Sequence, residues 1–432
     1  MKRKLYYWAR KNINSESVKF VLLLIPLCVI LVNKIMKEGF DFSNFLDTDI
    51  LVTFIIVALC DVIAKIILKF IQKKCEDSAK LTQDYPQLVK KYTVEPLIKY
   101  QEKRFPVICL YQRYNGEAIN IKIDDNPQQY YQLPSQVADF SQELMSAHDE
   151  SEIYNQLNIR LQDIDVNDIN KELVFHTART FYYDSLVTNR ACDYELSNKK
   201  TIREIYEPGP HLLPLNRSKL SNHLGFNGFV MTSDGKIPFI WRGNNVSIGK
   251  NTLGNSIGAS LKTEYAIDSS RDYTMTETLF GKAIIYEIIN ELALRNDEEE
   301  SREDCMKRMG MKPEAAVDSI FAVYRDLVEC GKPQFLFYMK LNSIDSAEME
   351  KRFVKKNSQK GSAKKEKMEK DGKKIYFFTL EQLKSATIDA GEIIIKDNGE
   401  ECKYAMMPSA SAAIVMLLEY LKEPKENVSE DL

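Results

Sequence analysis

Two long apolar runs near the start of the chain dominate its hydrophobic pattern. Residues 18–36 contain an uninterrupted apolar core at 20–32, and residues 50–71 read ILVTFIIVALCDVIAKIILKFI. A helix of about 20 residues spans a hydrocarbon core of about 30 Å. The second run meets that length outright; the first meets it when Lys19 and Lys34 extend toward the headgroups. The pattern therefore predicts a two-helix transmembrane hairpin over residues 1–75. Two other readings stand beside it. One is a cleaved signal peptide, for which MKRK supplies a basic start but no small-x-small site follows. The other is a pair of buried helices, which needs a partner covering every face.

Beyond the hairpin the pattern changes to mixed elements. Residues 76–102 are polar with helical character and read as a stalk. Strands are expected at 105–114 and 119–123 around a Gly-Glu turn, and helices at 134–145 and 150–164. From Leu173 strand and helix signals mix. Residues 224–231 and 236–242 flank Thr232-Ser233-Asp234-Gly235, and Asp-Gly between apolar runs is a strong hairpin signal. A glycine- and asparagine-rich stretch, 243–258, leads to a helix expected over 276–294. That helix carries Leu279, Ala283, Ile284, Ile288 and Leu292 at helical spacing, with Thr276 as its cap. An acidic run (296–304), a strand (335–341), a lysine-dense stretch (355–374), strands in IYFFTL and EIIIK, a helix at 408–421 and a polar tail (426–432) complete the chain. The lysine-dense stretch reads either as a solvated insertion or as a contact for anionic lipid. The organisation expected is a hairpin (1–75), a stalk with an N-terminal α/β segment (76–204), and a larger domain (205–425).

Charge changes this picture in two places. Lys2, Arg3, Lys4, Arg10 and Lys11 precede the first apolar run, and Lys73, Lys74 and Lys80 follow the second. The loop between them sets Lys37 against Glu38, Asp41, Asp47 and Asp49, so both termini are expected on the cytoplasmic side. Asp61 and Lys65 lie four apart in the second run, hence on one helix face. They read either as interfacial groups or as a functional polar stripe in the membrane. Globally, 59 Lys and Arg against 62 Asp and Glu give −3, which does not favour a DNA or RNA duplex as partner. The eight cysteines are scattered with no C-x-x-C pair, arguing against a disulfide framework or a zinc site.

Candidate chemistry is concentrated between residues 241 and 291. His148, His176, His211 and His223 share no metal-ligand spacing, and no P-loop pattern is present. Trp241, Arg242, Asn244, Asn245, Lys250, Ser260 and Lys262 offer phosphate donors and a flat aromatic face within a short stretch, and are the candidate ligand-binding residues. The helix that follows resembles a degraded Nudix box, G-x5-E-x7-R-E-U-x-E-E-x-G-U. The R-E-U-x-E-E-x-G part reads Tyr286-Glu287-Ile288-Ile289-Asn290-Glu291-Leu292-Ala293, so Glu287, Ile288 and Glu291 match. Tyr286 replaces the arginine, Asn290 the middle glutamate and Ala293 the glycine; the upstream glutamate falls on Thr278 and the upstream glycine on Asp272. Glu287 and Glu291 share a face and are the candidate Mg²⁺ ligands, although losing a carboxylate weakens any such site.

Taken with FYYDSLVTNRACDYEL (181–196) and the stretch from His211 to Gly243, the order of elements resembles the membrane-tethered Nudix-like effectors of cyclic-oligonucleotide (CBASS-type) antiphage defence. The resemblance implies two N-terminal transmembrane helices plus an α+β cytosolic region. That region would be a Nudix-like α/β/α sandwich with a mixed sheet, in a protein of the bacterial inner membrane. It implies a homo-oligomer whose domain binds a cyclic nucleotide, needs no cofactor, and triggers membrane disruption and abortive infection through lipid-facing helices. The alternative is a membrane-anchored Nudix hydrolase acting on a nucleoside diphosphate derivative with Mg²⁺. The degenerate box favours binding over catalysis.

Overall fold

The computed structural model describes residues 66, 81–146, 155–196, 199–243, 249–268, 272–357, 374–397 and 399–422. Its strands, in chain order, are β1 (Leu97–Tyr100), β2 (Lys103–Gln112), β3 (Asn120–Tyr130), β4 (Leu157–Asn167), β5 (Glu172–Phe181), β6 (Gly225–Met231), β7 (Lys236–Arg242) and β8 (Thr252–Gly254). They continue with β9 (Ile257–Ser260), β10 (Ile320–Asp326), β11 (Lys332–Lys340), β12 (Lys374–Thr379), β13 (Thr387–Asp389), β14 (Glu392–Asp397) and β15 (Glu400–Ala405). The main sheet is mixed, in the order β1-β2-β10-β11-β6-β9. Smaller sheets have the orders β12-β7-β8, β13-β14-β15 and β3-β5-β4.

Two helices cover the main sheet. The central helix, Glu277–Glu291, packs on the face that carries Phe226, Val323, Phe335 and Phe337. Its other side meets Ile121, Ile159, Leu161, Leu173 and Phe175 from the β3-β5-β4 sheet, so it is enclosed rather than amphipathic. The C-terminal helix, Pro408–Tyr420, covers the opposite face, against Val107, Phe229, Ala322 and Leu336. Thr276 caps the central helix as expected, its hydroxyl accepting from the Leu279 N–H.

The expected fold class and location require correction. Among the described residues no helix is long and apolar enough to cross a membrane. The central helix has 15 residues and the C-terminal helix 13, short of the about 20 needed, and sheets take up their apolar faces. The runs 18–36 and 50–71, with Asp61 and Lys65, lie outside the described residues apart from Ile66. A multi-pass inner-membrane architecture is therefore not carried forward, and the described protein is α+β with four sheets.

Other differences are local. Residues expected as a helix at 150–164 form β4 from Leu157, because Ile159 and Leu161 alternate inward at full burial. The Asp-Gly turn forms, with Gly235 at φ +77°, a conformation glycine adopts without strain. Its strands nevertheless separate: β6 pairs with β11 and β9, while β7 pairs with β12 and β8. Asp234 fastens the turn by accepting from Thr232 Oγ1 (2.6 Å) and from the Ser346 N–H (2.9 Å) and hydroxyl (2.6 Å).

On the outer face of β3-β5-β4, His176 lies between Asp124 (2.7 Å) and Asp165 (2.9 Å). Partial burial disfavours the imidazolium, but the two carboxylates outweigh it and raise the His176 pKa above 6.5. A raised folded-state value adds stability fully present below the unfolded pKa and lost as pH rises through the folded one. The stability advantage of wild type over His176→Gln, measured by urea denaturation from pH 5 to 9, is expected to be largest below pH about 6.5 and to shrink above the raised pKa. A pH-independent difference would contradict this.

Candidate functional site

The box positions on the central helix are engaged within the fold. Glu287 is buried, and its Oε1 lies 2.8 Å from Lys262 Nζ. Burial pushes the Glu287 carboxyl up, Lys262 opposes the shift and Glu291 adds to it. Burial works against the Lys262 ammonium, but Glu287 outweighs it and raises that pKa. Tyr286, at the arginine position, donates its hydroxyl to Glu303 (2.8 Å). Asn290, at the middle glutamate, accepts from Arg302 Nε (3.1 Å). Ala293 has φ +56°, the left-handed conformation that favours glycine, at the position where the box has one. Among the described residues no group of three or more His, Cys, Asp or Glu is placed to hold a metal ion. With Lys262 already neutralising Glu287, the pair Glu287/Glu291 is a poor fit to Mg²⁺, which needs free carboxylate oxygens.

A cationic cluster lies beside this helix, at the end of the main sheet where β11 and β6 begin and β9 ends. Gly225, Gln334 and Ser260 are register partners across β6, β11 and β9, so they share a face with Lys332, Asn227 and Gly258. Glycine lets neighbouring side chains lie against the strands. A Cβ on Gly225 would meet Gln334 and Lys332 side-chain atoms at 3.4 Å. One on Gly258 would meet Asn227 Oδ1 at 3.3 Å and an Arg242 Nη at 3.7 Å. Gly258 is exposed, so this floor reaches solvent.

Three cations converge here. Arg190 pairs with Glu329 (2.9 Å) and donates to the Tyr182 hydroxyl (2.6 Å), and Lys332 lies 3.4 Å from the same Glu329 carboxylate. Burial would raise the Glu329 pKa, but Lys332 and Arg190 outweigh it and hold it below the usual range. The Lys332 ammonium is pushed down by burial and by Arg190, against the pull of Glu329. Arg242 is pushed down by burial and by Arg190, with Glu291 opposing. His223 is fully buried, and its Nε2 lies 2.9 Å from Ser260 Oγ. Burial, then Lys332 and Arg190, hold its pKa well below 6.5, so the imidazole is neutral at pH 7. Asn227 donates to Gln334 Oε1 and to the Tyr324 hydroxyl, both at 2.6 Å. Arg190 repels Arg242 and Lys332, while Glu329 attracts all three cations, Glu291 acts on Arg242 and Asp326 on Lys332, so the charges of the cluster are partly compensated within the fold.

Of the residues expected from sequence, Arg242, Ser260, Lys262, Glu287 and Glu291 come together around this end of the sheet, with Glu291 close enough to act electrostatically on Arg242, Lys262 and Glu287. Trp241 alternates to the other side of β7 and packs against the C-terminal-helix core. Lys250 is exposed in the turn before β8. Asn244 and Asn245 lie outside the described residues. Sequence reading missed Arg190, His223, Glu329 and Lys332. The Glu-Cys-Gly-Lys-Pro turn at 329–333, with a glycine at φ +80° between two apolar strands, is a local signal for Glu329 and Lys332 alone.

No protein-family model matches the chain, and no curated protein matches it.

Proposed function

We propose that this protein binds a phosphate-bearing nucleotide, of the cyclic-oligonucleotide class that signals in antiphage defence, and that it senses the ligand rather than hydrolysing it. The convergence of Arg190, Arg242 and Lys332 on a glycine-floored end of the main sheet carries this reading. Cations that repel one another are stabilised by an incoming anion, and charge-assisted hydrogen bonds to phosphate are the strong ones. The Lys262–Glu287 ion pair weighs against the alternative, a Mg²⁺-dependent hydrolase of nucleoside diphosphate derivatives, because it occupies one of the two matching box carboxylates.

The test is equilibrium binding of cyclic di- and trinucleotides to the full chain. Binding in the micromolar range or tighter is expected for at least one, weakening as salt rises from 50 to 200 mM. Arg242→Ala is expected to weaken that binding by about 10- to 100-fold, the equivalent of roughly 1.5–3 kcal/mol for a hydrogen bond to a charged group. A panel with no binder would overturn the proposal. Mg²⁺-dependent turnover of a nucleoside diphosphate derivative, abolished by Glu291→Gln, would favour the hydrolase instead.

A further inference from the structure

Several fully buried polar side chains have atoms with no hydrogen-bond partner, among them both amide atoms of Asn158, Nδ1 of His223, Oγ of Ser185 and Nδ2 of Asn222. Buried polar atoms are rarely left this way, and a group orphaned in the free protein is one that a ligand can satisfy. Asn158 and His223 belong to one patch. Asn158 faces Thr180 across β4 and β5 and forms a backbone bridge with Lys262, while Arg160, on the same face of β4, bridges His223. Tyr182 joins them, its ring 6.0 Å from that of His223, and it accepts from Arg190. His223, which feels the charges of Lys332 and Arg190, and Tyr182, which is bonded to Arg190, connect this patch to the cationic cluster.

The chemistry of the orphans narrows what they bind. An asparagine amide offers a donor and an acceptor side by side, the pattern complementary to adenine N7 and N6, whereas guanine presents two acceptors that suit arginine. Arg160, whose fork would match guanine, is spent on the carbonyls of Ser218, Leu220 and Ser221. His223 Nδ1 can donate or accept, because the Ser260 hydroxyl on its other nitrogen rotates to suit either tautomer.

We infer that Asn158, with His223 beside it, is a base-reading element that takes the donor–acceptor edge of an adenine while Arg190, Arg242 and Lys332 take the phosphate. This rests on the nucleotide reading above. The test titrates cyclic di-AMP and cyclic di-GMP into the full chain and into Asn158→Leu, a nearly isosteric change that removes the amide. Wild type is expected to prefer the adenine ligand by tenfold or more. Asn158→Leu should reduce that preference to about threefold or less with its salt dependence unchanged, and its Tm should not fall, since an unpaired buried amide has been removed. A lowered Tm or failure to fold would mean the amide is structural and overturns the inference, as does an unchanged preference. Equal binding of both probes by wild type overturns it while the nucleotide reading stands; binding of neither overturns both.

Discussion

Replacing Arg179 with methionine is expected to lower the stability of the fold by about 3–5 kcal/mol, read by urea denaturation as a fall in midpoint at unchanged slope. Arg179 and Asp125 form a bidentate pair with both contacts at 2.7 Å, and their side chains are 1% and 0% exposed. Asp125 also accepts from Thr177 Oγ1 and the Met275 N–H, and Arg179 also donates to the Tyr273 carbonyl. Removing the guanidinium leaves a buried carboxylate without its counter-charge, the case in which one lost partner matters most. Replacing both, Arg179→Met with Asp125→Leu, is expected to recover part of the loss. Because the pair ties β5 to the residues entering the central helix, a loss below about 1 kcal/mol would mean that this junction is not held electrostatically.

The second large effect is steric. Gly281→Ala is expected to destabilise by about 2 kcal/mol, although alanine is favoured over glycine inside a helix by about 1 kcal/mol. A Cβ at 281 would lie 2.1 Å from the Pro313 carbonyl oxygen and 2.6 Å from its carbon. Those are backbone atoms at the start of the helix Pro313–Asp318, so relief requires the two helices to separate. Such movement also shifts Glu287, a turn and a half further along the same helix, against Lys262. Thermal unfolding decides the sign: a rise in Tm would show that propensity outweighs the contact.

The sequence made the short-range chemistry legible and the long-range pairing largely not. Thr276, the Asp-Gly turn and the apolar spacing of 276–294 each act within a few residues, and each was readable. Leu157–Asn167 was misread because its alternation lies beside a polar stretch of helical composition, and burial of Ile159 and Leu161 decided it. The two strands expected around the Gly-Glu turn lie in different sheets: β2 joins β1 and β10, while β3 runs parallel to β5. Half of the site shares this fate. Arg242, Ser260 and Lys262 cluster in sequence and so were visible. Arg190 and Glu329, separated by 139 positions, meet only through the tertiary fold.

The main sheet also imposes a timetable on synthesis. Its register places Ile108 of β2 opposite Arg325 of β10. At roughly 5–20 residues per second, β2 leaves the ribosome roughly 10–40 s before β10 has been made. Throughout that wait KRFPVICLYQ is a nascent strand carrying Phe105, Val107 and Ile108, all buried in the finished fold, with one long edge lacking its final neighbour. β1, a short hairpin partner, can cover the other edge at once. The cationic cluster is assembled later still, because Lys332 lies at the start of β11, beyond β10. A chain ending before about residue 340 therefore lacks a completed β11 and with it the strand that joins β10 to β6.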